Sequence, residues 1–104
     1  MIDVSEREGI AVLTLSHGKA NTLDVAFCNA IADQFDQLRN ASARAVILTG
    51  TGKIFSAGVD LLQISDGGVS YVQKFLPSLH RMFDTVFDFP KPVVAAVNGH
   101  AIAG

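Results

Sequence analysis

The sequence predicts an α/β fold in which parallel strands are connected by helices. Two uniformly apolar runs, "AVILT" (45–49) and "VVAAV" (93–97), are typical of buried strands that are covered on both faces. Two longer segments, 23–38 and 69–87, carry apolar residues at helical spacing. The resulting strand–helix–strand order favours a parallel sheet with right-handed crossovers.

The N-terminal residues predict an antiparallel pair of strands. "IDVSERE" (2–8) alternates weakly between apolar and polar residues, and "IAVLTL" (10–15) is rich in residues that favour strands. A tight turn at Glu8-Gly9 would join the two strands. The loop "SHGKAN" (16–21) follows them.

A first helix is predicted after this loop. Asn21 or Thr22 can cap its N-terminus, and the helix should end near Asn40. Its apolar residues recur at the spacing of one buried helix face. They are Leu23, Ala26, Phe27, Ala30, Ile31, Phe35 and Leu38.

The second half of the chain predicts a glycine-rich loop (50–58) and a short helical turn (59–64) that "SDGG" (65–68) breaks. A longer second helix follows and ends at "FPKP" (89–92). Pro77 lies inside this helix and should kink it or remove one hydrogen bond. The apolar residues of the second helix are Val69, Val72, Phe75, Leu76, Leu79, Met82, Phe83, Val86 and Phe87.

Composition and charge exclude several classes of protein. The net charge of −2 and the scattered Lys and Arg residues leave no basic face for nucleic acid. The one cysteine, Cys28, excludes an intrachain disulfide and a multi-cysteine metal site. The charged N-terminus lacks the apolar stretch of a signal peptide, and no apolar run approaches the roughly 20 residues of a membrane span. We therefore predict a cytoplasmic protein that does not bind membranes.

The composition also bears on the extent of the domain. Of the 104 residues, 49% are hydrophobic, which is high for a free-standing domain of this size. The last predicted strand is followed by a turn, "NGHAIAG" (98–104), and by no helix that could cover it. We therefore expect residues 1–104 to be the N-terminal part of a single longer domain, whose surplus apolar surface is covered by further chain or by a partner subunit.

The stretch "FSAGVDL" (55–61), which follows the strand at 45–49, raises the question of chemistry. It does not match a phosphate-binding loop, because Ile47 and Ile54 stand where the P-loop pattern needs Gly and Ser or Thr. Phe55 stands where the dinucleotide fingerprint needs its third glycine. An ordinary hydrophilic turn explains these residues better.

Two side chains of this stretch are candidates for direct chemistry. Ser56 has Gly58 two residues after it but Ile54 two residues before it, so it departs from the nucleophile-elbow pattern. Asp60 is the best-placed carboxylate, and capping of the helical turn after Gly58 explains it better than acid–base chemistry. The histidines show no spacing of a triad or a metal site; they are His17, His80 and His100.

The main chain offers another chemistry. Ala57 and Gly58 carry almost no side chain, so a ligand oxygen could approach the N–H of Val59 at a helix start. "NGHAIAG" (98–104) supplies a second turn of small residues after a strand. Two such turns could direct two N–H groups at one oxygen.

Three blocks, "KANTLD" (19–24), "FSAGVDL" (55–61) and "KPVVAAVNGHAIAG" (91–104), together resemble the enoyl-CoA hydratase/isomerase family, the crotonases. The resemblance implies a crotonase-like spiral of ββα units, of which this chain would hold the N-terminal part. It implies an enzyme that binds an acyl-CoA thioester and stabilises its enolate in a backbone oxyanion hole. Coenzyme A would be part of the substrate, no other cofactor would be needed, and the protein would be a homotrimer or a dimer of trimers.

The resemblance also implies roles for individual residues. The backbone N–H groups of Val59 and Gly104 would be the oxyanion donors, and Leu61, Leu62 and Ile64 would line the path of the acyl chain. No Asp or Glu of this chain matches the catalytic glutamates of the family's hydratases, so a non-catalytic acyl-CoA-binding or assembly subunit is the alternative. The residues implied in substrate binding are Lys19, Ala20, Asn21, Ser56, Ala57, Gly58, Asp60, Leu61 and Leu62.

Overall fold

The computed structural model describes all residues from 1 to 104 and shows strands and helices in the order ββα, ββα, ββ. This repeated order confirms the predicted α/β fold. The elements are β1 (Ile2–Arg7), β2 (Ile10–Leu15), α1 (Val25–Arg39), β3 (Ala45–Thr49), β4 (Ile54–Ser56), α2 (Leu61–Phe87), β5 (Val93–Ala96) and β6 (His100–Ala101).

Strands β1 and β2 form the predicted antiparallel hairpin. Ile2 pairs with Leu15, and Arg7 pairs with Ile10 at the turn end. The two turn residues, Glu8 and Gly9, have φ values of 53° and 82°. A two-residue turn with positive φ at both positions matches the right-handed twist of the strands that it connects. The hairpin prediction is confirmed.

The strands form two sheets. The larger sheet has the order β1-β2-β3-β5, and the pairs β2–β3 and β3–β5 are parallel, as predicted. A second sheet of two short parallel strands, β4 and β6, was not predicted. Residues 50–58 and 98–104 were expected to be loops, because strands of three and two residues are too short to show an alternating pattern.

Helix α1 begins later than predicted. Its N-cap is Asp24, whose carboxylate accepts a hydrogen bond from the Phe27 N–H at 2.8 Å. The predicted caps were therefore wrong. Asn21 has a left-handed backbone with φ of 49° and bonds elsewhere, and the Thr22 hydroxyl donates to Asp60 at 3.4 Å. Leu23 and the residues before it form a connecting segment that pairs with the second half of the chain.

Helix α2 joins the predicted short helical turn to the predicted second helix, and the predicted break at "SDGG" (65–68) is confirmed as a kink between them. The backbone departs from helical angles only at Gly68 (φ 61°, ψ −151°), where the helix is kinked, and it continues through Pro77. Asp60 is the N-cap, as predicted, and accepts the Gln63 N–H at 3.2 Å. Neither this helix nor α1 is both long enough and apolar enough to cross a membrane.

The two helices pack on one face of the larger sheet. The residues of β2 that face them are buried, and the alternate residues are only half-buried. An ion pair crosses the helices, since Arg81 lies 2.7 Å from Asp33 and 3.0 Å from Asp36. These two carboxylates are exposed, so their ion pairs with Arg81 add little stability. The largest fully buried side chains are Phe27, Phe35, Phe75, Leu13, Val46 and Cys28.

Strand β5 was expected to be buried, and this prediction was wrong for residues 1–104. Val93 packs against the core, but Val94 is 57% exposed. Strand β5 is at the edge of the sheet, and the helices cover only one face of it. Ile47 in the neighbouring strand β3 is half-buried for the same reason.

Candidate functional site

The "FSAGVDL" turn lies between β4 and α2 and runs beside the segment that precedes α1. The Ala57 N–H donates to the Ala20 carbonyl at 2.9 Å, and the Leu23 N–H donates to the Gly58 carbonyl at 2.8 Å. The Asp60 N–H donates in turn to the Leu23 carbonyl at 3.0 Å. These bonds align the two segments in parallel over their whole contact. The blocks 19–24 and 55–61 are therefore one structural unit.

Within residues 57–60 of this turn, one N–H has no partner. The N–H groups of Ala57 and Asp60 donate to backbone carbonyls, and that of Gly58 donates to the Ser56 hydroxyl at 3.1 Å. The Val59 N–H, between them, donates no hydrogen bond within the chain. Because buried backbone donors are nearly always paired, an unpaired N–H on a half-buried residue between bonded neighbours is available to a ligand.

The hydroxyl of Ser56 bonds to two backbone groups and has no donor left. It donates to the Asn21 carbonyl at 2.8 Å and accepts from the Gly58 N–H at 3.1 Å. It makes no hydrogen bond with a histidine, as a serine nucleophile would with its base. The disfavoured interpretation of Ser56 as a nucleophile thus gains no support from the structure.

Asn21 lies beneath the turn and is 3% exposed. Its Nδ2 group donates to the Phe55 carbonyl at 3.0 Å and to the Leu15 carbonyl at 3.3 Å, and its Oδ1 atom accepts the His17 N–H at 2.7 Å. The side chain has no polar group left for a substrate. The Asn21 side chain could therefore contribute to substrate binding only indirectly, through neighbouring residues.

The second small-residue turn touches the first. The Ile102 N–H donates to the Ser56 carbonyl at 2.9 Å. A Cβ atom on Gly58 would lie 2.6 Å from the carbonyl oxygens of both Ile102 and Ala103, so only glycine fits this contact. Gly58 also has a φ of 86°, which favours glycine independently. The N–H of Gly104, like that of Val59, donates no hydrogen bond within the chain.

Gly104 also forms part of the wall of an apolar pocket of about 260 Å³ between the sheet and the helices. A second pocket, of about 150 Å³, shares Phe55, Ser56 and Gly104 with it. None of the residues that line the first pocket is titratable. They are Leu15, Leu23, Ile31, Leu48, Phe55, Ser56, Met82, Phe83, Val86 and Gly104.

The other predicted site residues lie around the turn. Lys19 is exposed in the loop before α1, and Leu61 and Leu62 are 72% and 77% exposed on the first turn of α2. Ile64, one turn further along, packs against the core. The carboxylate of Asp60 is occupied by the helix cap. Leu61 and Leu62 are accessible but line neither apolar pocket.

A histidine–carboxylate pair was missed by the sequence analysis. His17 Nε2 lies 2.8 Å from Asp24 Oδ2, and the imidazole stacks on Phe27 with ring centroids 4.6 Å apart. Burial would raise the pKa of Asp24, but hydrogen bonds from His17, the Phe27 N–H and Gln63 hold it below its ordinary value. The pair was hard to predict from the sequence, because the prediction required knowing that the helix starts at Asp24.

A second asparagine with a positioning role was also missed. Asn98 follows β5, and its Oδ1 atom accepts the Gly50 N–H at 2.9 Å. Its Nδ2 group donates to the carbonyls of Gly52 at 2.9 Å and Ile54 at 3.3 Å. These bonds hold the start of β6 beside β4. The Asn-Gly pair directly after a strand was the available signal.

Comparison with known proteins identifies the family. The family model described as enoyl-CoA hydratase/isomerase matches residues 5–104. The chain belongs to the enoyl-CoA hydratase/isomerase family. The resemblance inferred from the three sequence blocks is therefore confirmed.

Relatives within this family carry different activities in their names. The chain is 38% identical to a putative enoyl-CoA hydratase of Thermus thermophilus over 104 residues, which covers 95% of the chain and 41% of that protein. It is 31% identical over 98 residues to a mitochondrial Delta(3,5)-Delta(2,4)-dienoyl-CoA isomerase of Pongo abelii, which covers 83% of the chain and 30% of that protein. The chain thus spans about a third to two fifths of the length of these relatives.

The fold is also that of the family. The crystal structure of an enoyl-CoA hydratase from Bacillus anthracis superposes with a TM-score of 0.86 at 30% identity. The match covers 94% of this chain and 40% of that structure. This agreement confirms the crotonase-like arrangement of ββα units that the resemblance implied.

Proposed function

We propose that the chain binds the thioester oxygen of an acyl-CoA and stabilises the enolate form of that thioester. The Val59 and Gly104 N–H groups would be the two donors. The observation that carries this proposal is the unpaired Val59 N–H between the bonded N–H groups of Ala57, Gly58 and Asp60. Family membership makes an acyl-CoA hydratase or isomerase the reaction class that it supports.

The physical setting of Val59 suits an oxyanion. Helix α2 begins two residues later, at Leu61, so the positive end of its dipole lies close to the Val59 N–H. The turn is fixed by bonds to Ala20 and Leu23, so little reorganisation would accompany charge development. One such preorganised donor contributes about 3–4 kcal/mol to an oxyanion transition state.

The surroundings also suit the rest of the substrate. Lys19 is exposed in the adjacent loop, where its ammonium group could meet the phosphates of coenzyme A. Leu61 and Leu62 present exposed apolar surface beside the turn, along which an acyl chain could lie. Coenzyme A would be the only cofactor-like group, and it would enter as part of the substrate.

A second candidate is an acyl-CoA-binding or assembly subunit without catalysis. The specific observation in its favour is that no titratable group lines the pocket beside Gly104. Hydration and isomerisation both need a proton acceptor or donor. Turnover of an enoyl-CoA distinguishes the two candidates, since the subunit would bind the thioester without converting it.

The proposal predicts that acyl-CoA binds and that free coenzyme A binds more weakly. Isothermal calorimetry with acyl-CoAs of increasing chain length should give dissociation constants in the range of about 1 μM to 1 mM. A 3-ketoacyl-CoA should additionally show the near-ultraviolet absorbance of its enolate when bound. No heat and no absorbance change for any chain length would contradict the proposal.

A pair of variants isolates the Val59 donor. Val59→Pro removes the N–H, whereas Val59→Ala shortens the side chain and keeps the N–H. We expect enolate absorbance to disappear in the first variant and to persist in the second. Thermal melting of both variants would show whether each is folded. Equal absorbance in two folded variants would exclude Val59 as a donor.

We also propose that the protein assembles as a homotrimer or a dimer of trimers in the cytoplasm, and that it uses neither nucleic acid nor a membrane as a partner. The exposed apolar residues of β5 and α2, such as Val94 and Phe87, are consistent with further buried surface in an assembly. Analytical ultracentrifugation of the purified protein would test the trimer. A monomer at all concentrations would contradict it.

A further inference from the structure

We propose that Asn21 is a positioning residue for the Val59 donor and does not itself contact the substrate. This inference depends on the proposed oxyanion site for its functional meaning, but its structural part stands on the hydrogen bonds alone. Asn21 is one of only two buried polar residues of the chain, together with Ser78. All the polar groups of its side chain are bonded.

Two routes of hydrogen bonds lead from Asn21 to Val59. On the first route, the Nδ2 group donates to the Phe55 carbonyl at 3.0 Å, which fixes the end of β4 just before the turn. On the second route, the backbone carbonyl of Asn21 accepts a hydrogen bond from the Ser56 hydroxyl at 2.8 Å. That hydroxyl in turn accepts the Gly58 N–H at 3.1 Å. Gly58 precedes Val59 in the chain, so its orientation sets the direction of the Val59 N–H.

The same side chain is anchored to the larger sheet. Its Nδ2 group donates to the carbonyl of Leu15, the last residue of β2, at 3.3 Å, and its Oδ1 atom accepts the His17 N–H at 2.7 Å. Asn21 therefore connects a rigid strand end to the turn that presents Val59. Precise placement of an oxyanion donor requires such a support, because catalysis is lost when groups move by about 1 Å.

The backbone of Asn21 adds a second reason for this residue type. Its φ of 49° is in the left-handed region, which asparagine adopts more readily than most residues with a side chain. Glycine would accept the same φ but would supply none of the three side-chain bonds. Aspartate would keep the acceptor and lose the Nδ2 donor. The position thus requires both a left-handed backbone and an amide.

If Asn21 only stabilised the fold, its replacement would lower stability without a specific effect on Val59. Lys91 provides the matched control for such a general effect. Its Nζ atom donates to the carbonyls of Leu38 at 2.7 Å, Ala41 at 2.9 Å and Ala43 at 2.7 Å, at the C-terminal end of α1. Lys91→Met removes as many side-chain hydrogen bonds as Asn21→Gly does, but far along the chain from the turn. Both variants should lower stability, and only the change at Asn21 should disturb Val59.

The first experiment uses the free protein and needs no ligand. Amide NMR of the full chain would compare wild type, Asn21→Gly, Asn21→Asp and Lys91→Met. In both Asn21 variants we expect the Val59 amide signal to shift and the Ala57 amide to exchange at least about tenfold faster than in wild type. In Lys91→Met, both amides should behave as in wild type. If the Asn21 variants leave the Val59 and Ala57 amides unchanged, the inference is overturned.

The second experiment uses a 3-ketoacyl-CoA as the probe. For Asn21→Gly we expect the enolate absorbance per bound ligand to fall by about 10- to 100-fold, with a dissociation constant within about threefold of wild type. Lys91→Met should keep the full absorbance. Equal absorbance in Asn21→Gly and wild type would overturn the inference. A wild type that binds no acyl-CoA would refute the proposed function instead, and the amide measurements would still decide the role of Asn21.

Discussion

The hydroxyl of Ser56 donates a hydrogen bond to the backbone carbonyl of Asn21 at 2.8 Å. The same oxygen accepts the N–H of Gly58, two residues later, at 3.1 Å. A serine that bonds to its own backbone two residues on stabilises a turn locally, as Ser and Thr commonly do. Ser56 therefore serves the shape of the turn and holds it against the segment that precedes α1.

Replacement of Ser56 should show this structural role. Ser56→Ala removes both bonds and leaves the Gly58 N–H without its acceptor, so we expect the free energy of unfolding to fall by about 1–2 kcal/mol. Urea denaturation followed by circular dichroism would measure it. Acyl-CoA binding should weaken without disappearing, and no acylated protein should be seen by mass spectrometry in wild type. A covalent acyl-Ser56 adduct would contradict this interpretation.

Gly58 should tolerate no side chain. A Cβ atom would lie 2.6 Å from the carbonyl oxygens of Ile102 and Ala103, on a backbone with φ of 86°. We expect Gly58→Ala to lower the free energy of unfolding by about 3 kcal/mol, because the backbone strain and the steric overlap both destabilise the variant. The matched control is Gly52→Ala, where φ is 62° and no atom lies within 4 Å of the added Cβ. It should cost only about 1 kcal/mol.

The comparison of these two glycines separates strain from contact. Urea denaturation of both variants gives the two free energies. A 3-ketoacyl-CoA titration should show loss of the enolate absorbance in Gly58→Ala, because Ile102 and the residues after it would be pushed away from the turn. Gly52→Ala should retain the absorbance. If the two substitutions lower the free energy of unfolding equally, the contact between the two turns contributes nothing to stability.

Much of the fold could be predicted from patterns within short segments of the sequence. The hairpin at Glu8-Gly9, the parallel strands β2, β3 and β5 and the cap at Asp60 all have signals within a few residues of one another. Strands β4 and β6 have no such signal. They exist because two short segments from distant parts of the chain pair with each other, as in the bond from the His100 N–H to the Lys53 carbonyl at 2.9 Å.

The candidate site was predictable only in outline. The small residues at 57 and 58 suggested an accessible N–H, but a sequence does not show which N–H groups are left unpaired. Asn21 was placed in the substrate loop, whereas its side chain is buried beneath the turn. Asp24 caps α1 instead of Asn21 or Thr22. The pairing of Leu23 with Val59 keeps the residues before Asp24 out of the helix. Tertiary contacts overrode the local capping preference.

Lys91 should contribute to stability through the end of α1. Its ammonium group donates to three carbonyls at the helix end and in the following loop, those of Leu38, Ala41 and Ala43. We expect Lys91→Met to lower the free energy of unfolding by about 2 kcal/mol, because charge-assisted bonds are lost. Lys91→Arg should not restore it fully, since the planar guanidinium cannot reach three converging oxygens. A loss below about 0.5 kcal/mol would contradict this role.

The decrease in the free energy of unfolding at acid pH should depend on Asp24. Burial raises its pKa, but the hydrogen bonds from His17 and Phe27 together lower it below the ordinary 3.8. A carboxyl group whose pKa is lower in the folded state binds its proton more readily when unfolded. Its stabilising contribution is therefore complete above the pKa of the unfolded chain and is lost as the pH falls through the lower folded value.

Asp24→Asn tests this dependence, because asparagine still caps a helix but carries no charge. We expect the variant to be less stable than wild type by about 1 kcal/mol near neutral pH and the difference to shrink as the pH falls below about 4. Urea denaturation at several pH values measures both curves. Asp3→Asn, at an exposed residue of β1 whose side chain makes no hydrogen bond, is the matched control and should leave the decrease at acid pH unchanged. A difference between Asp24→Asn and wild type that stays constant across the acid range would show that the charge of Asp24 contributes nothing beyond its capping oxygen.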